Sequence, residues 1–192
     1  MSISYDMMAA DYALHRSVHP NLLRRLAEFC QTASPSRVLE VGCGSGLISR
    51  NLVPRVRDVL ATDINPFAVS MVKEYGIPVI RADLFRGIKA EFDLVIFNPP
   101  YLPTYEEEKT TGWMNFALDG GESGRETIKR FFEDLGSHLT PGGRALILLS
   151  SLTGIAEVEK MAYGLGFDVS VMAIEKHFFE QLYILKLQSW HL

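Results

Sequence analysis

The chain has 192 residues, 47% of them hydrophobic and 22% charged, and carries a formal net charge of -4. These values exclude a disordered chain, and the length predicts one domain over 1–192, with an N-terminal helix or lid over 1–34 and a core over 35–192. No apolar run approaches the roughly 18 residues of a transmembrane helix and no signal-peptide pattern opens the chain, so a cytoplasmic location is expected.

Strand-like apolar runs alternate with helical patterns, which is typical of an α/β fold with a mostly parallel sheet and helices on both faces. In the first half the predicted elements are a helix over 20–30, a strand over 38–41, a short helix ending at Pro54, a strand over 58–62, a helix over 65–76 and strands over 78–82 and 92–97. Asn65 as N-cap, Pro66 in the first turn and Gly76 after the last turn delimit the third of these helices. Its candidate packing residues are Phe67, Met71, Val72 and Tyr75.

The second half continues the alternation. A helix is predicted from the helical spacing of Ile128, Phe132, Leu135 and Leu139. The sequence Pro141-Gly142-Gly143 then predicts a turn before a strand over 145–149, and a helix follows over 154–165. Two last strands, over 167–174 and 182–187, can pair as an antiparallel end of the sheet, which gives seven strands in all.

A glycine-rich turn, Gly42-x-Gly44-x-Gly46, lies between the first strand and the next helix. In that position small residues allow backbone amides to approach a ligand at a helix N-terminus. The spacing differs from the G-x-G-x-x-G of dinucleotide-binding proteins. From the glycines alone, a tight turn and a ligand-binding turn remain equally open.

Two aspartates favour a ligand at this end of the sheet. Asp63 follows the second strand, where a carboxylate can accept both hydroxyls of a ribose. Asp83 follows the third strand and could accept from an adenine amino group, with Leu84 or Phe85 against the ring. Each alone is more typical of a cap or turn, but three such features at successive strand ends favour an adenosyl ligand.

The sequence Asn98-Pro99-Pro100-Tyr101, at the end of the fourth strand, is the most specific in the chain. The prolines stiffen the backbone and leave carbonyl groups without local amide donors. The Asn98 and Pro99 carbonyls can accept both N–H bonds of a flat –NH2 group, and Tyr101 can stack on its plane. This arrangement favours methylation of a planar nitrogen by positioning and electrostatics, although a stiff strand exit is the structural alternative.

At this point the chain resembles the class I methyltransferases that use S-adenosylmethionine, and among them the HemK-like release-factor glutamine methyltransferases of the short archaeal and eukaryotic type. The matching stretches are Glu40-Val41-Gly42-Cys43-Gly44-Ser45-Gly46, Thr62-Asp63-Ile64-Asn65-Pro66, Phe97-Asn98-Pro99-Pro100-Tyr101 and Gly120-Gly121-Glu122-Ser123-Gly124-Arg125-Glu126. The resemblance covers about residues 36–187. It implies a Rossmann-like fold, S-adenosylhomocysteine as product, and the glutamine of a Gly-Gly-Gln loop as substrate.

The resemblance also implies roles for individual residues. Asp63 would bind ribose, Asp83 adenine, the glycines the amino-acid part of the cofactor, and Asn98 with Pro99 the substrate amide. Further cofactor contacts are expected from Glu40, Ile64, Leu84 and Asn98. The opening of the chain departs from the family, because Tyr12-Ala13-Leu14-His15-Arg16-Ser17 lacks the expected aspartate, so Tyr12, His15 and Arg16 are candidates for another kind of lid.

The segment 102–123 is expected to line the substrate entrance. It is acidic, which disfavours nucleic acid, since phosphate binding depends on Lys and Arg. Trp113 and Phe116 could dock a peptide there. Methylation of adenine N6 in RNA or DNA remains the alternative, because adenine presents the same planar amino group, and an inactive cofactor-binding scaffold is a third reading.

The third strand is predicted to be an apolar edge, Ile77-Pro78-Val79-Ile80, and such edges tend to be covered. The family resemblance implies that a small zinc-binding activator subunit covers it. No metal site is expected in the chain itself, because Cys30 and Cys43 are too few and too separate. His138, His177 and His191 likewise show no metal-ligand spacing.

Overall fold

A computed structural model of the protein describes residues 18–101, 120–176 and 180–190. The predicted lid residues Tyr12–Ser17, most of the entrance segment with Trp113 and Phe116, and both His177 and His191 lie outside these ranges. The helices are α1 Pro20–Ala33, α2 Leu47–Leu52, α3 Pro66–Glu74, α4 Glu126–Leu135 and α5 Ile155–Gly164. The strands are β1 Arg37–Val41, β2 Asp58–Asp63, β3 Val79–Arg81, β4 Phe92–Phe97, β5 Leu139–Ser150, β6 Phe167–Lys176 and β7 Gln181–Ser189.

The strands form one sheet in the order β3-β2-β1-β4-β5-β7-β6. The first five strands run parallel, while β7 pairs antiparallel with both β5 and β6. The predicted seven-stranded, mostly parallel sheet with an antiparallel end is therefore confirmed. Because the chain first runs from β1 through β2 to β3 at one edge and then returns to β4 on the other side of β1, the order reverses between β1 and β4, where open α/β sheets bind ligands.

Each face of the sheet is covered by its own helices, as predicted. On one face, α4 and α5 bury a core with Leu39, Val95 and Ile147 of the central strands. On the other, α1, α2 and α3 bury a core with Val38, Ile96 and Leu146. Alternate residues of β1, β4 and β5 thus point to opposite cores, which is the period expected of strands buried on both faces.

The boundary between α4 and β5 differs from the prediction. Leu139 was expected on the helix, but α4 ends at Leu135, a 3-10 turn follows over Gly136–His138, and Leu139 is the first residue of β5. Leu139 is buried in either case because it pairs with Phe92 of β4, so its helical spacing was coincidental. The predicted turn at 141–143 lies inside β5, where the pairing with β4 shifts register before Arg144.

The predicted bounds of α3 are confirmed in detail. The Asn65 side chain accepts the Phe67 N–H at 2.9 Å, Pro66 occupies the first turn, and Gly76 has a φ of +70° after the last turn. The packing prediction is wrong for Phe67, which is 70% exposed, and for Tyr75, which is 45% exposed. The helix instead buries Ala68 and Val72, one turn apart, because these two residues face the sheet.

None of the helices among the described residues combines the length and the apolar character needed to cross a bilayer. Both cysteines, Cys30 and Cys43, are buried and form no disulfide.

Candidate functional site

The carboxyl ends of β1, β2, β3 and β4 meet at one edge of the sheet, because all four strands are parallel. The residues that follow them are the glycine turn, Asp63, Asp83 and Asn98. The structure therefore brings every predicted element of the site to the same side of the molecule.

The glycine turn has a backbone that only glycine adopts without strain. Gly42, Gly44 and Gly46 have φ values of +63°, +53° and +73°. A Cβ on Gly46 would lie 2.8 Å from Cγ2 of Val72, so this glycine also permits the close contact between α2 and α3. A Cβ on Gly44, in contrast, would meet no atom of the described residues within 4 Å. Within the described part of the chain the turn thus leaves space in front of Gly44, as a ligand-binding turn requires.

Asp63 fixes the turn from the neighbouring strand. It is 9% exposed, and its two carboxylate oxygens accept the N–H groups of Gly44 and Asn65, each at 2.8 Å. A carboxylate has about four acceptor positions, so one in this place can hold backbone N–H groups and also accept hydroxyl groups of a ligand. Asp63 therefore shapes the site as well as lining it.

Glu40 is a carboxylate buried beneath the turn, 3% exposed. Its Oε2 accepts the Ser49 N–H at 2.8 Å and the Ser49 hydroxyl, both on the first turns of α2. Burial, with a smaller contribution from the nearby Asp63, raises the pKa of Glu40 to about 7 against the lowering effect of the Ser49 bonds. Ionisation of Glu40 thus destabilises the ligand-free protein. A cationic group of a bound ligand would stabilise the same charge.

Replacing Glu40 by Gln is expected to stabilise the ligand-free protein above neutral pH. The folded pKa exceeds the ordinary value of 4.5, so wild-type stability is lost as the pH rises from there through about 7. A carboxamide keeps an acceptor for Ser49 but carries no charge. The free energy of unfolding of the variant, relative to wild type, should increase by about 2 to 3 kcal/mol between pH 5 and pH 8, as measured by urea unfolding. A gain that does not depend on pH would contradict this account.

The Asp83–Phe85 segment is held by α4. Arg130 Nη2 donates to Asp83 Oδ2 at 2.6 Å, so one oxygen of this carboxylate is already engaged. Leu84 is buried with a φ of +50°, a conformation that few residues other than glycine adopt. The ring of Phe85 stacks on those of Phe131 at 5.2 Å and His138 at 4.4 Å. This packing orients Asp83 and places both Leu84 and Phe85 in the core, so contact of either side chain with an adenine ring stays a prediction.

Asn98 stands at the exit of β4. It is partly exposed, and its carboxamide makes no hydrogen bond to any residue that the structure describes. Pro99 is buried, and Tyr101 packs at the margin of the core that contains Phe97. The role of this carboxamide as an acceptor for a substrate amide stays a prediction, as does the stacking of Tyr101 on a substrate.

Ile64 is half-buried between Asp63 and the N-cap of α3, and its carbonyl accepts Arg81 Nε at 3.1 Å. Sequence reasoning missed Arg130 and Ser49, which support Asp83 and Glu40. Neither carries a motif of its own. Only the packing of α4 and α2 against the sheet brings them to these carboxylates.

Two cavities, of about 190 and 420 Å³, lie away from these residues. The smaller is at the base of β4 and β5, near Asp93 and Arg144. The larger lies between α1 and β6. The candidate site is identified by the residues at the carboxyl ends of the strands and not by a cavity.

A protein family described as the methyltransferase small domain matches residues 22–178. The chain belongs to this family. The predicted Rossmann-like methyltransferase fold is confirmed, and S-adenosylmethionine is the methyl donor of this class of enzyme. The open glycine turn and the carboxylates of Glu40 and Asp63 fit such a donor, because it carries an ammonium group and ribose hydroxyls.

The relatives that the chain matches include proteins named as glutamine methyltransferases. A protein of Methanocaldococcus jannaschii named as a candidate protein N5-glutamine methyltransferase is 42% identical over 81% of both chains. The release factor glutamine methyltransferase of Deinococcus radiodurans is 30% identical over 67% of the chain, which spans 50% of that longer protein. In the E. cuniculi Mtq2–Trm112 complex, described as responsible for methylation of the termination factor eRF1, one chain is 26% identical, with a TM-score of 0.72 and coverage of 91% and 98%. The resemblance to release-factor glutamine methyltransferases is thereby confirmed.

Proposed function

We propose that the methyltransferase transfers a methyl group to the side-chain amide nitrogen of a glutamine in a translation release factor, within its Gly-Gly-Gln loop. The observation that carries the proposal is the carboxamide of Asn98 at the exit of β4, beside the glycine turn, which makes no hydrogen bond within the described part of the chain. The names of the relatives support the same substrate. Because release factors act on the ribosome, we also propose that the enzyme works in the cytosol.

The residues of the chain would hold both reactants in line. The glycine turn, Glu40 and Asp63 bind the amino-acid and ribose parts of S-adenosylmethionine, and Asp83 with Leu84 lines the adenine side. When bound, the cofactor supplies an electrophilic methyl group on a sulfonium. Asn98 Oδ1 and the Pro99 carbonyl accept the two amide N–H bonds, which orients the nitrogen and raises its electron density.

No general base is required before transfer in this scheme. The amide nitrogen is a weak nucleophile, so the two acceptors must stabilise the partial positive charge that develops on its hydrogens. The proton is lost to solvent once the nitrogen has been alkylated. The contribution of the protein is thus positioning and electrostatics.

An adenine N6 amino group fits the same acceptors and defines the competing function. The acidic residues of the entrance segment favour the peptide, since Glu106, Glu107, Glu108, Asp119 and Glu122 accompany only Lys109 between 101 and 124. A net negative charge of this size in the sequence repels phosphates. The charge thus supports a protein substrate.

The two substrates can be separated by one labelling experiment. The purified chain is incubated with S-adenosylmethionine carrying a radiolabelled methyl group and one of three acceptors: a release factor, the same factor with the Gly-Gly-Gln glutamine replaced, or a total RNA pool. We expect label only in the unaltered factor. Label in RNA alone would overturn the proposal.

We further propose that a small zinc-binding activator subunit covers the edge of β3. This strand is at the end of the sheet, has three residues, and leaves Ile80 46% exposed. Phe67 and Tyr75 on the adjoining α3 are also exposed. An apolar edge of this kind is stabilised by a partner that adds to it. The related Mtq2 chain was solved in complex with Trm112, which supports a small partner here.

A charge on this edge should prevent the association. We expect Ile80→Lys to weaken binding of a Trm112-type subunit at least about tenfold in calorimetry, because a lysine would be desolvated in the interface. Val171→Lys is the matched control, since Val171 is also 46% exposed but lies on β6 at the opposite edge. Equal effects of the two substitutions, or full activity of a monodisperse isolated chain, would count against the partner.

A further inference from the structure

A polar pair of side chains lies at the carboxyl end of β5. Ser150 is completely buried, its hydroxyl donates to the Glu180 carboxylate, and it accepts the Leu152 N–H at 3.1 Å. The N–H of Gln181, next to Glu180, donates to Ser151 Oγ at 3.0 Å. Hydrogen bonds therefore fix the position of Glu180 against the exit of β5.

The pair lies on the same face of the sheet as Glu40 and Asn98. Glu40 pairs with Ile96, and Ile96 pairs with Leu146, so these three positions share a level and a face. Asn98 is two residues beyond Ile96, and Ser150 is four residues beyond Leu146. Because strands alternate with period two, all of these side chains belong to one face. From β1 through β4 to β5, the positions of Glu40, Asn98 and Ser150 therefore lie successively further in the direction of the strands' carboxyl ends.

The distance between the exits of β4 and β5 suits a peptide substrate. Phe97 pairs with Ile147, and Ser150 stands three residues beyond that level on the adjacent strand. The Cα atoms of Phe97 and Ser150 are therefore roughly 11 Å apart from strand geometry alone. A glutamine side chain whose amide is bound at Asn98 would bring its own main chain toward Glu180.

Glu180 is not neutralised by a basic side chain in the part of the chain that the structure describes. It is partly exposed, and it forms no ion pair with a Lys, Arg or His among the residues that the structure describes. Its hydrogen bond from a buried hydroxyl fixes one oxygen and leaves acceptor capacity on the other. A carboxylate of this kind recognises N–H donors and repels phosphates.

We propose that Glu180, positioned by Ser150, accepts a main-chain N–H of the substrate peptide beside the acceptor glutamine. This inference rests on the proposed function and adds a specificity-determining residue to it. Peptides offer such donors at every residue except proline, whereas the nucleic-acid backbone offers phosphate oxygens. Glu180 would then help the enzyme to select a protein loop over RNA.

The test measures steady-state kinetics with a release factor as the varied substrate. Glu180→Ala is expected to raise KM for the factor about tenfold to a hundredfold, since hydrogen bonds to charged acceptors are among the stronger ones. Glu180→Gln, which keeps a neutral acceptor, should recover part of this loss. The dissociation constant of S-adenosylmethionine should stay within about twofold. Glu91→Gln, an exposed carboxylate at the opposite end of the sheet, is the control and should match wild type.

Ser150 is tested through its coupling to Glu180. Ser150→Ala should raise KM by a smaller factor, and the double variant should be no worse than Glu180→Ala, because Ser150 acts only through Glu180. Additive effects, an unchanged KM in Glu180→Ala, or loss of cofactor binding in that variant would overturn the inference. A wild-type enzyme that labels no release factor would instead refute the proposed function, and the two failures are thus distinguishable.

Discussion

Replacing Asn98 by Ala should lower kcat for methyl transfer by about 100-fold to 1000-fold, with the dissociation constant of S-adenosylmethionine changed no more than a few-fold. Removal of one preorganised group that stabilises developing charge has an effect of this size in other enzymes. The Asn98 carboxamide has no protein partner among the described residues, so its loss leaves no buried group unsatisfied. Single-turnover kinetics with labelled cofactor measure the chemical step, and calorimetry measures binding.

The control for this variant is Asn51→Ala. Asn51 lies near the end of α2, where its side chain donates to the Leu47 carbonyl at 2.9 Å, away from the strand ends. The Asn51→Ala variant should transfer methyl groups at the wild-type rate. If Asn98→Ala bound the cofactor 100-fold more weakly at an unchanged rate of transfer, Asn98 would be a cofactor ligand and the acceptor role assigned to it would be wrong.

Replacing Asp63 by Ala should weaken binding of S-adenosylmethionine at least about 100-fold. The substitution removes an acceptor for the ribose hydroxyls, and hydrogen bonds to a carboxylate are stronger than those between neutral groups. It also leaves the N–H groups of Gly44 and Asn65 without their acceptor, so the glycine turn loses its support. We therefore expect a loss of stability of about 2 to 4 kcal/mol beside the loss of affinity. Calorimetry and chemical unfolding measure the two effects.

Asp58→Ala provides the comparison on the same strand. Asp58 opens β2 at the other end of the sheet, and its ion pair with Arg57 is 3.7 Å long and exposed. Such pairs contribute little to stability. Equal affinities of the Asp58 and Asp63 variants for the cofactor would show that the predicted ribose contact does not exist.

The sequence predicted the strands well because those of a sheet covered on both sides are continuous apolar runs with distinct flanking signals. The apolar run that ends at Phe97 predicted a strand, and Asn65 predicted the start of a helix. Both predictions depend on local sequence alone, and both are confirmed. Leu139 was assigned to the wrong element, since a buried leucine at helical spacing fits a helix and a strand equally. Phe67 was expected inside, but only the docking of α3 decides which of its apolar faces meets the sheet.

By itself, the sequence determined the family motifs and their order: a glycine turn after β1, aspartates after β2 and β3, and Asn98 after β4. Their placement at one edge follows from the parallel direction of the strands. Tertiary structure alone decided which groups surround them, including Ser49 on Glu40, Arg130 on Asp83 and Ser150 on Glu180. These partners are 9, 47 and 30 residues apart in the chain. No local pattern encodes such contacts, because they arise only when helices and strands pack.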